Sequence, residues 1–223
     1  MTATLAFDVY GTLIDTHGLV AMLGGMVGDR AADFSRTWRE RQLEYAFRRA
    51  LMRAYVPFSV CTAQALDHTN AFYGAPLSLD QRTALLTAYR TLPAFADVAD
   101  GLAQLRAAGF RLYAFSNGAA EAVHTLLDAA GISGLFLGVV STDDLRSFKP
   151  DPAVYGHFLK TAAAARADTW LVSSNPFDVI GALSAGWRAA WVKRSPQALF
   201  DPWGIPPTVT VSGLRDLAAA IAS

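Results

Sequence analysis

At 223 residues, 52% hydrophobic and 17% charged, the chain is long enough for one medium domain with a sizeable insertion, and too apolar to be disordered or fibrous. Nineteen basic residues balance nineteen acidic ones, so no net charge points to nucleic acid. Cys61 is the single cysteine, which excludes an internal disulfide and a cysteine-based metal cluster; it is expected to be a buried residue without chemistry.

The first predicted element is a buried strand at Leu5–Phe7, ending at Asp8 and broken at Gly11. Residues 17 to about 90 then read as helical throughout, without a convincing strand. Phe34, Trp38, Tyr45 and Ala46, with Leu51 and Tyr55 beyond, recur at helical spacing. Arg39, Leu43 and Phe47 form a second stripe on what reads as a helix between two layers. The longest apolar run, Gly18 to Gly28, is short and glycine-rich against the ~20 residues that a bilayer span requires. The opening MTATLAFD carries no basic leader, so a soluble, cytoplasmic protein is expected.

From Pro93 onward strand and helix alternate. Val98, Leu102 and Leu105 predict a helix stopped near Gly109. Strands are expected at 111–115, 136–141, 169–173 and 188–193. Helices are expected around Val123–Leu127 up to Gly131, from Asp151, over Phe177–Ala185 and over Leu214–Ile221. The TAAAARA tract at 161–167 is a helix former, not a linker. This order predicts an α/β fold: a doubly wound parallel sheet, Rossmann-like, with a helical cap inserted after the first strand. The expected bounds are 1–14 and 91–223 for the core and 15–90 for the cap.

In such sheets ligands bind beyond the carboxyl ends of the strands. Those ends carry Asp8 with Tyr10 and Thr12, then Ser116-Asn117, then Ser173-Ser174-Asn175 with Asp178, while Lys149, one of only three lysines, precedes Pro150 and a helix start. Each has a plain alternative. Asp8, Ser116 and Asn117 suit turns or caps, Lys149 a solvated loop, and Asp178 the first turn of a helix. A carboxylate, hydroxyls, an ammonium and a second carboxylate at successive strand ends are better explained together, as one site.

The segments FDVYGTL, FSNG, FKPDPAVY and VSSNPFD resemble the haloacid dehalogenase superfamily over nearly the whole chain, and TWRERQLEY with YVPF resembles its L-2-haloacid dehalogenases. The resemblance implies that Asp8 attacks the halogen-bearing carbon of a short L-2-haloalkanoic acid, forming an ester. Water then attacks the carboxyl carbon and releases the D-2-hydroxy acid. It assigns catalytic parts to Asp8, Thr12, Arg39, Ser116, Lys149, Tyr155, Ser173, Asn175 and Asp178. It places the halide at Arg39 with Asn117 helping, and the substrate carboxylate at Ser116. Tyr10, Leu43, Phe58 and Phe177 are expected to wall the carbon skeleton.

Phosphatases of the superfamily carry a second aspartate where this chain has Tyr10, and Gly-Asp where it has Ser-Ser-Asn. No metal and no cofactor are therefore expected. Two departures from the dehalogenase pattern, Glu40 for glutamine and Phe177 for tryptophan, bear on substrate range. Between Arg30 and Arg53 seven arginines face three acids, a local excess that attracts small anions. Expected partners are a halogenated carboxylic acid and halide. Resembled proteins are often dimers, so a homodimer is compatible; nucleic acid and membrane are not expected. A superfamily phosphatase and a non-catalytic carboxylate binder remain as alternatives.

Overall fold

The computed structural model describes residues 3–74 and 76–222; positions 1, 2, 75 and 223 of the predicted domain bounds lie outside the described residues. Six parallel strands form one sheet in the order β3-β2-β1-β4-β5-β6: β1 (Thr4–Phe7), β2 (Arg111–Ser116), β3 (Gly138–Ser141), β4 (Thr169–Ser173), β5 (Arg188–Val192) and β6 (Val209–Val211). β1 lies in the middle, paired Phe7 to Ala114 on one side and Phe7 to Val172 on the other. The order reverses at β1, since the chain runs outward through β2 and β3 and returns to β4. Asp8 therefore leaves the sheet at its topological switch point, where the crevice opens.

Between β1 and β2 the chain forms α1 (Val20–Val27), α2 (Ala31–Leu51), α3 (Phe58–Phe72), α4 (Leu79–Ala88) and α5 (Val98–Ala107), the last packing back on the sheet. The remaining helices are α6 (Ala120–Ala129), α7 (Pro152–Thr161), α8 (Pro176–Ser184) and α9 (Leu217–Ala222). One apolar cluster joins Leu5 and Phe7 of the sheet to Phe34, Trp38 and Leu66 of the insertion, while a second, around Phe115, Phe158 and Trp187, fills the other face.

The expectation of unbroken helix from 17 to 90 is corrected: non-helical chain separates α2 from α3 and α3 from α4. Leu51 and Tyr55 do not extend the buried stripe. Leu51 ends α2 at 86% exposure, and Tyr55 lies beyond it, where its hydroxyl donates to Asp143. The strand expected at 136–141 starts at Gly138, and the one at 188–193 ends at Val192. β6 has no counterpart among the expected strands. Its three residues follow a proline-rich stretch and are too few to show alternation.

Two glycines hold the site's framework. Gly11, at φ +85°, turns the loop after Asp8 in a conformation that side chains resist. Gly181 on α8 lets α7 come close: a Cβ there would collide with the Tyr155 hydroxyl and lie 2.7 Å from Pro150 Cβ.

Candidate active site

Asp8 follows β1, its N–H donating to Val172 at 3.0 Å, so its side chain is fixed by the sheet. One carboxylate oxygen, Oδ2, accepts from Thr12 Oγ1 at 2.7 Å, Asn175 Nδ2 at 2.7 Å and Ser173 Oγ at 3.3 Å. The other, Oδ1, accepts from Lys149 Nζ at 2.9 Å. Lys149, 1% exposed, also donates to Asp178 Oδ2 at 2.6 Å and to the Phe115 carbonyl at 3.0 Å. The remaining Asp178 oxygen accepts from the Tyr155 hydroxyl at 2.8 Å.

Burial opposes ionisation of Asp8, but Lys149, the Thr12 hydroxyl and Arg39 outweigh it and hold the carboxyl below its ordinary 3.8. Asp178 is pushed up to about 6, first by burial and then by the charge of Asp8, with Lys149 and Tyr155 pulling the other way. Burial also disfavours the charged Lys149, yet two carboxylates hold its ammonium above the ordinary value. Tyr155 is raised by burial and by Asp178, so it stays a donor.

Asn175 shows why these residues are not caps. It sits at the N-cap of α8, where Pro176 opens the helix, yet its side chain makes no capping bond and donates to Asp8 instead. The cap of α7 is Asp151, which accepts from the N–H of Ala153. α6 starts after Ala119 with no side-chain cap, so Ser116 and Asn117 are not capping it. Ser116 Oγ accepts from Gly118 N–H at 3.0 Å. Asn117 Oδ1 accepts from the Lys149 N–H at 2.8 Å and from Thr142 at 3.3 Å, which fixes the loop that delivers the lysine.

From the insertion, α2 brings Arg39 over the crevice, where its Nη2 donates to the Tyr10 carbonyl at 3.2 Å. Asn175 Nδ2 meets the same carbonyl at 3.3 Å, so helix and sheet join there. Tyr10 stacks on Tyr89 with ring centroids 5.5 Å apart and touches Phe58 at 5.8 Å. Leu43 is half-buried one turn beyond Arg39. Phe177 packs edge-on against Phe47 at 4.9 Å. A 330 Å³ cavity borders Tyr10, Phe58, Tyr89 and Gly118, and a 650 Å³ apolar cavity borders Phe47, Phe148, Lys149, Phe177 and Trp203. The structure thus gathers Asp8, Thr12, Ser173, Asn175, Lys149, Asp178 and Tyr155 into one bonded network and sets Arg39, Tyr10 and Phe58 beside it. Leu43 and Phe177 stand on the flanking helices without a bond to Asp8. Glu40 is exposed on the outer side of α2.

Residues absent from the sequence-based site also support it. Gln42, 1% exposed, accepts from Arg39 Nη1 at 2.7 Å. Ser174 N–H donates to Thr12 Oγ1 at 2.8 Å, and Arg194 grips the Thr12 carbonyl at 3.1 and 2.6 Å while paired to Asp97 at 2.6 Å. Gln42 left a signal: it continues the four-residue spacing of Phe34, Trp38 and Ala46 as a lone polar residue in an apolar stripe. Arg194 left none, because its partners are a backbone carbonyl and an aspartate 97 positions away in the chain.

The haloacid dehalogenase-like hydrolase family matches residues 2–186. The chain belongs to that family. It is 37% identical to haloacetate dehalogenase H-2 of Moraxella sp. (strain B), over 93% of this chain and 92% of that protein. It is 34% identical to (S)-2-haloacid dehalogenase 2 of Pseudomonas sp. (strain CBS-3), over 96% of this chain and 93% of the relative. The L-2-haloacid dehalogenase of Xanthobacter autotrophicus, solved with chloropropionic acid covalently bound, superposes with a TM-score of 0.92 at 29% identity, covering 100% of this chain and 99% of that one. This haloacid dehalogenase-like hydrolase has no helix among its described residues that is long and apolar enough to cross a membrane.

Proposed function

We propose that the protein hydrolyses short L-2-haloalkanoic acids to D-2-hydroxy acids through an ester on Asp8, without a metal ion. The observation that carries this reading is the unequal treatment of the two Asp8 oxygens. A carboxylate oxygen has about two lone-pair sites. Oδ2 accepts three donors and is saturated, whereas Oδ1 accepts, among the described residues, only Lys149 and keeps a lone pair for attack. Oδ1 displaces halide from C2, inverting that carbon. Water then adds to Cγ of the ester, and the charge that develops on Oδ2 meets Thr12, Asn175 and Ser173 already in place. The C2-bound oxygen leaves as the hydroxy acid, and Asp8 returns as the carboxylate. Asp178, joined to Asp8 through Lys149, is the base for the released proton. Arg39 and Asn117 hold the departing halide, Ser116 and the N–H groups after Asp8 the substrate carboxylate, and Tyr10, Leu43, Phe58 and Phe177 the carbon skeleton. Support comes from the names of the relatives and from the covalent adduct of the Xanthobacter protein.

The residues at Asp8 do not fit a divalent cation. Lys149 Nζ fills the space between the two carboxylates, at 2.9 and 2.6 Å, and no three His, Cys, Asp or Glu side chains cluster among the described residues. Residues 15–90 serve, in this reading, as a cap over a core made of 1–14 and 91–223.

Single turnover of L-2-chloropropionate in oxygen-18 water, with EDTA present, tests the whole scheme. Label is expected in Asp8 and absent from the first hydroxy acid released. Label directly in the product, or halide release only after magnesium is added, overturns it.

A further inference from the structure

Arg39 is a guanidinium whose acceptors are both neutral. Nη1 donates to the Gln42 amide oxygen at 2.7 Å and Nη2 to the Tyr10 carbonyl at 3.2 Å, and no carboxylate pairs with it among the described residues. Among the other arginines of α2, Arg36 pairs with Asp33, and Arg41 and Arg48 with Glu44; Arg49 also meets only neutral oxygens, of Ala54 and Gln64, but through exposed bonds, whereas the side-chain acceptor of Arg39 is the buried Gln42. Gln42 itself is locked from every side. Its Oε1 also accepts the Tyr89 hydroxyl at 3.1 Å, and its Nε2 donates to Thr62 Oγ1 at 2.5 Å, whose own proton goes to the Phe58 carbonyl at 3.0 Å. This chain of bonds leaves one orientation of the amide: oxygen toward Arg39, nitrogen toward α3.

We propose that Gln42 is the positioning residue of the leaving-group site: a buried neutral acceptor that aims the Arg39 guanidinium and leaves its charge open for the departing halide. Such a group does two separable things. As an acceptor it fixes direction, because a bonded fork loses less freedom when a ligand arrives. As a neutral acceptor it leaves the field of Arg39 uncancelled, whereas a carboxylate 2.7 Å from Nη1 would pair with it. The proposal rests on the reading of Arg39 as the halide site.

The test uses the purified full chain and two substitutions. Gln42→Glu keeps acceptors for Arg39 and Tyr89 but adds the opposing charge. Gln42→Met keeps the volume and neutrality and removes the acceptor. Bromide binding is titrated calorimetrically, and kcat and KM are measured for L-2-chloro- and L-2-bromopropionate. Gln42→Glu is expected to weaken bromide binding at least about tenfold, and to slow the chloro substrate more than the bromo one, because the poorer leaving group needs more charge stabilisation in the transition state. Gln42→Met is expected to keep bromide affinity within about threefold while kcat falls about tenfold for the chloro substrate and less for the bromo one, at nearly constant KM, as expected when stabilisation of the leaving group in the transition state is lost.

Unchanged bromide binding in Gln42→Glu overturns the proposal. So does an equal loss on both substrates in Gln42→Met, which is the pattern of a merely structural residue and can be read even if the glutamate variant fails to fold. Bromide binding that depends on Gln42 in a wild type inert toward every haloacid supports the anion site and rejects the dehalogenase reading instead.

Discussion

On the strand side of the crevice every charge has an opposite within hydrogen-bond distance: Lys149 lies 2.9 Å from Asp8 and 2.6 Å from Asp178. On the helical side Arg39 donates, among the described residues, only to neutral oxygens, and Asp8 feels its charge from a distance rather than through a bond. The two sides therefore do different work. The strand side must keep a carboxylate ionised in a buried place, which requires a compensating cation held by a second anion. The helical side must attract an anion that comes and goes, which requires a cation with no carboxylate bonded to it. If this division holds, a strand-side change that leaves buried charges unpaired lowers stability as well as turnover, and damage on the helical side appears in turnover and anion binding alone.

The largest effect is expected at Asp8. Asp8→Asn removes the nucleophile and should lower kcat by about 10⁴-fold or more. It also leaves Lys149 and Asp178 as a balanced pair, so the melting temperature should stay the same or rise. Calorimetry beside halide release checks both halves. Lys149→Met should abolish turnover too, but it strands two buried carboxylates and should cost about 3–5 kcal/mol in urea unfolding. Equal stability of these two variants would break the comparison, because it would mean that the ammonium compensates nothing.

A smaller effect is expected from the proton on Asp178. Its carboxyl binds the proton more tightly folded, at about 6, than at the ordinary 3.8. Its contribution is therefore complete below the unfolded value and is lost as pH rises from 3.8 toward about 6. Asp8, lowered in the fold, has the opposite sign: its contribution is present above 3.8 and is lost as pH falls through its folded value. Urea melts of Asp178→Asn should lack the wild-type decline between 3.8 and about 6. If ionised Asp178 is required for turnover, the acid limb of kcat lies near that same value. Tyr155→Phe, which removes a 2.8 Å donor to the carboxylate, should move this limb to higher pH. Gly181→Ala should do the same by pushing the Tyr155 hydroxyl off Asp178. A limb that stays in place in both variants would detach Tyr155 from the site.

The strand side was also the more legible in the sequence. Asp8, Ser116, Ser173 and Asn175 end or follow short apolar runs, and a parallel sheet brings such ends together whatever the loop details are. The insertion was less legible. Its helix breaks are marked, by Pro57 in one and by Gly74, Pro76 and the Ser78–Gln81 capping box in the other, yet the helical periodicity on either side masks them, and its partners are set by packing between helices, which residue spacing shows only in part. Arg39 stands out through the resemblance, whereas nothing in that resemblance marks Gln42, three residues further on. A polar side chain in an apolar stripe reveals that it is buried, not which groups it will bond. β6 failed for a simpler reason, since three residues carry too little pattern.

The smallest effect sharpens the comparison most. From sequence, Glu40 beside an anion site looks unfavourable. In the structure it is exposed on α2, two positions and so about 200° around the helix from Gln42. Glu40→Gln should then change stability by no more than about 0.5 kcal/mol, as for other surface exchanges. It should also leave bromide affinity and kcat within about twofold, because its charge is screened by solvent. Gln42→Glu is the reverse exchange on the same helix, buried and bonded to Arg39. Measured together at equal ionic strength, the pair separates field from contact. If removing the exposed charge strengthens bromide binding as much as adding the buried one weakens it, the site responds to the net charge of the helix, and the neutrality of the groups bonded to Arg39 is not what tunes it.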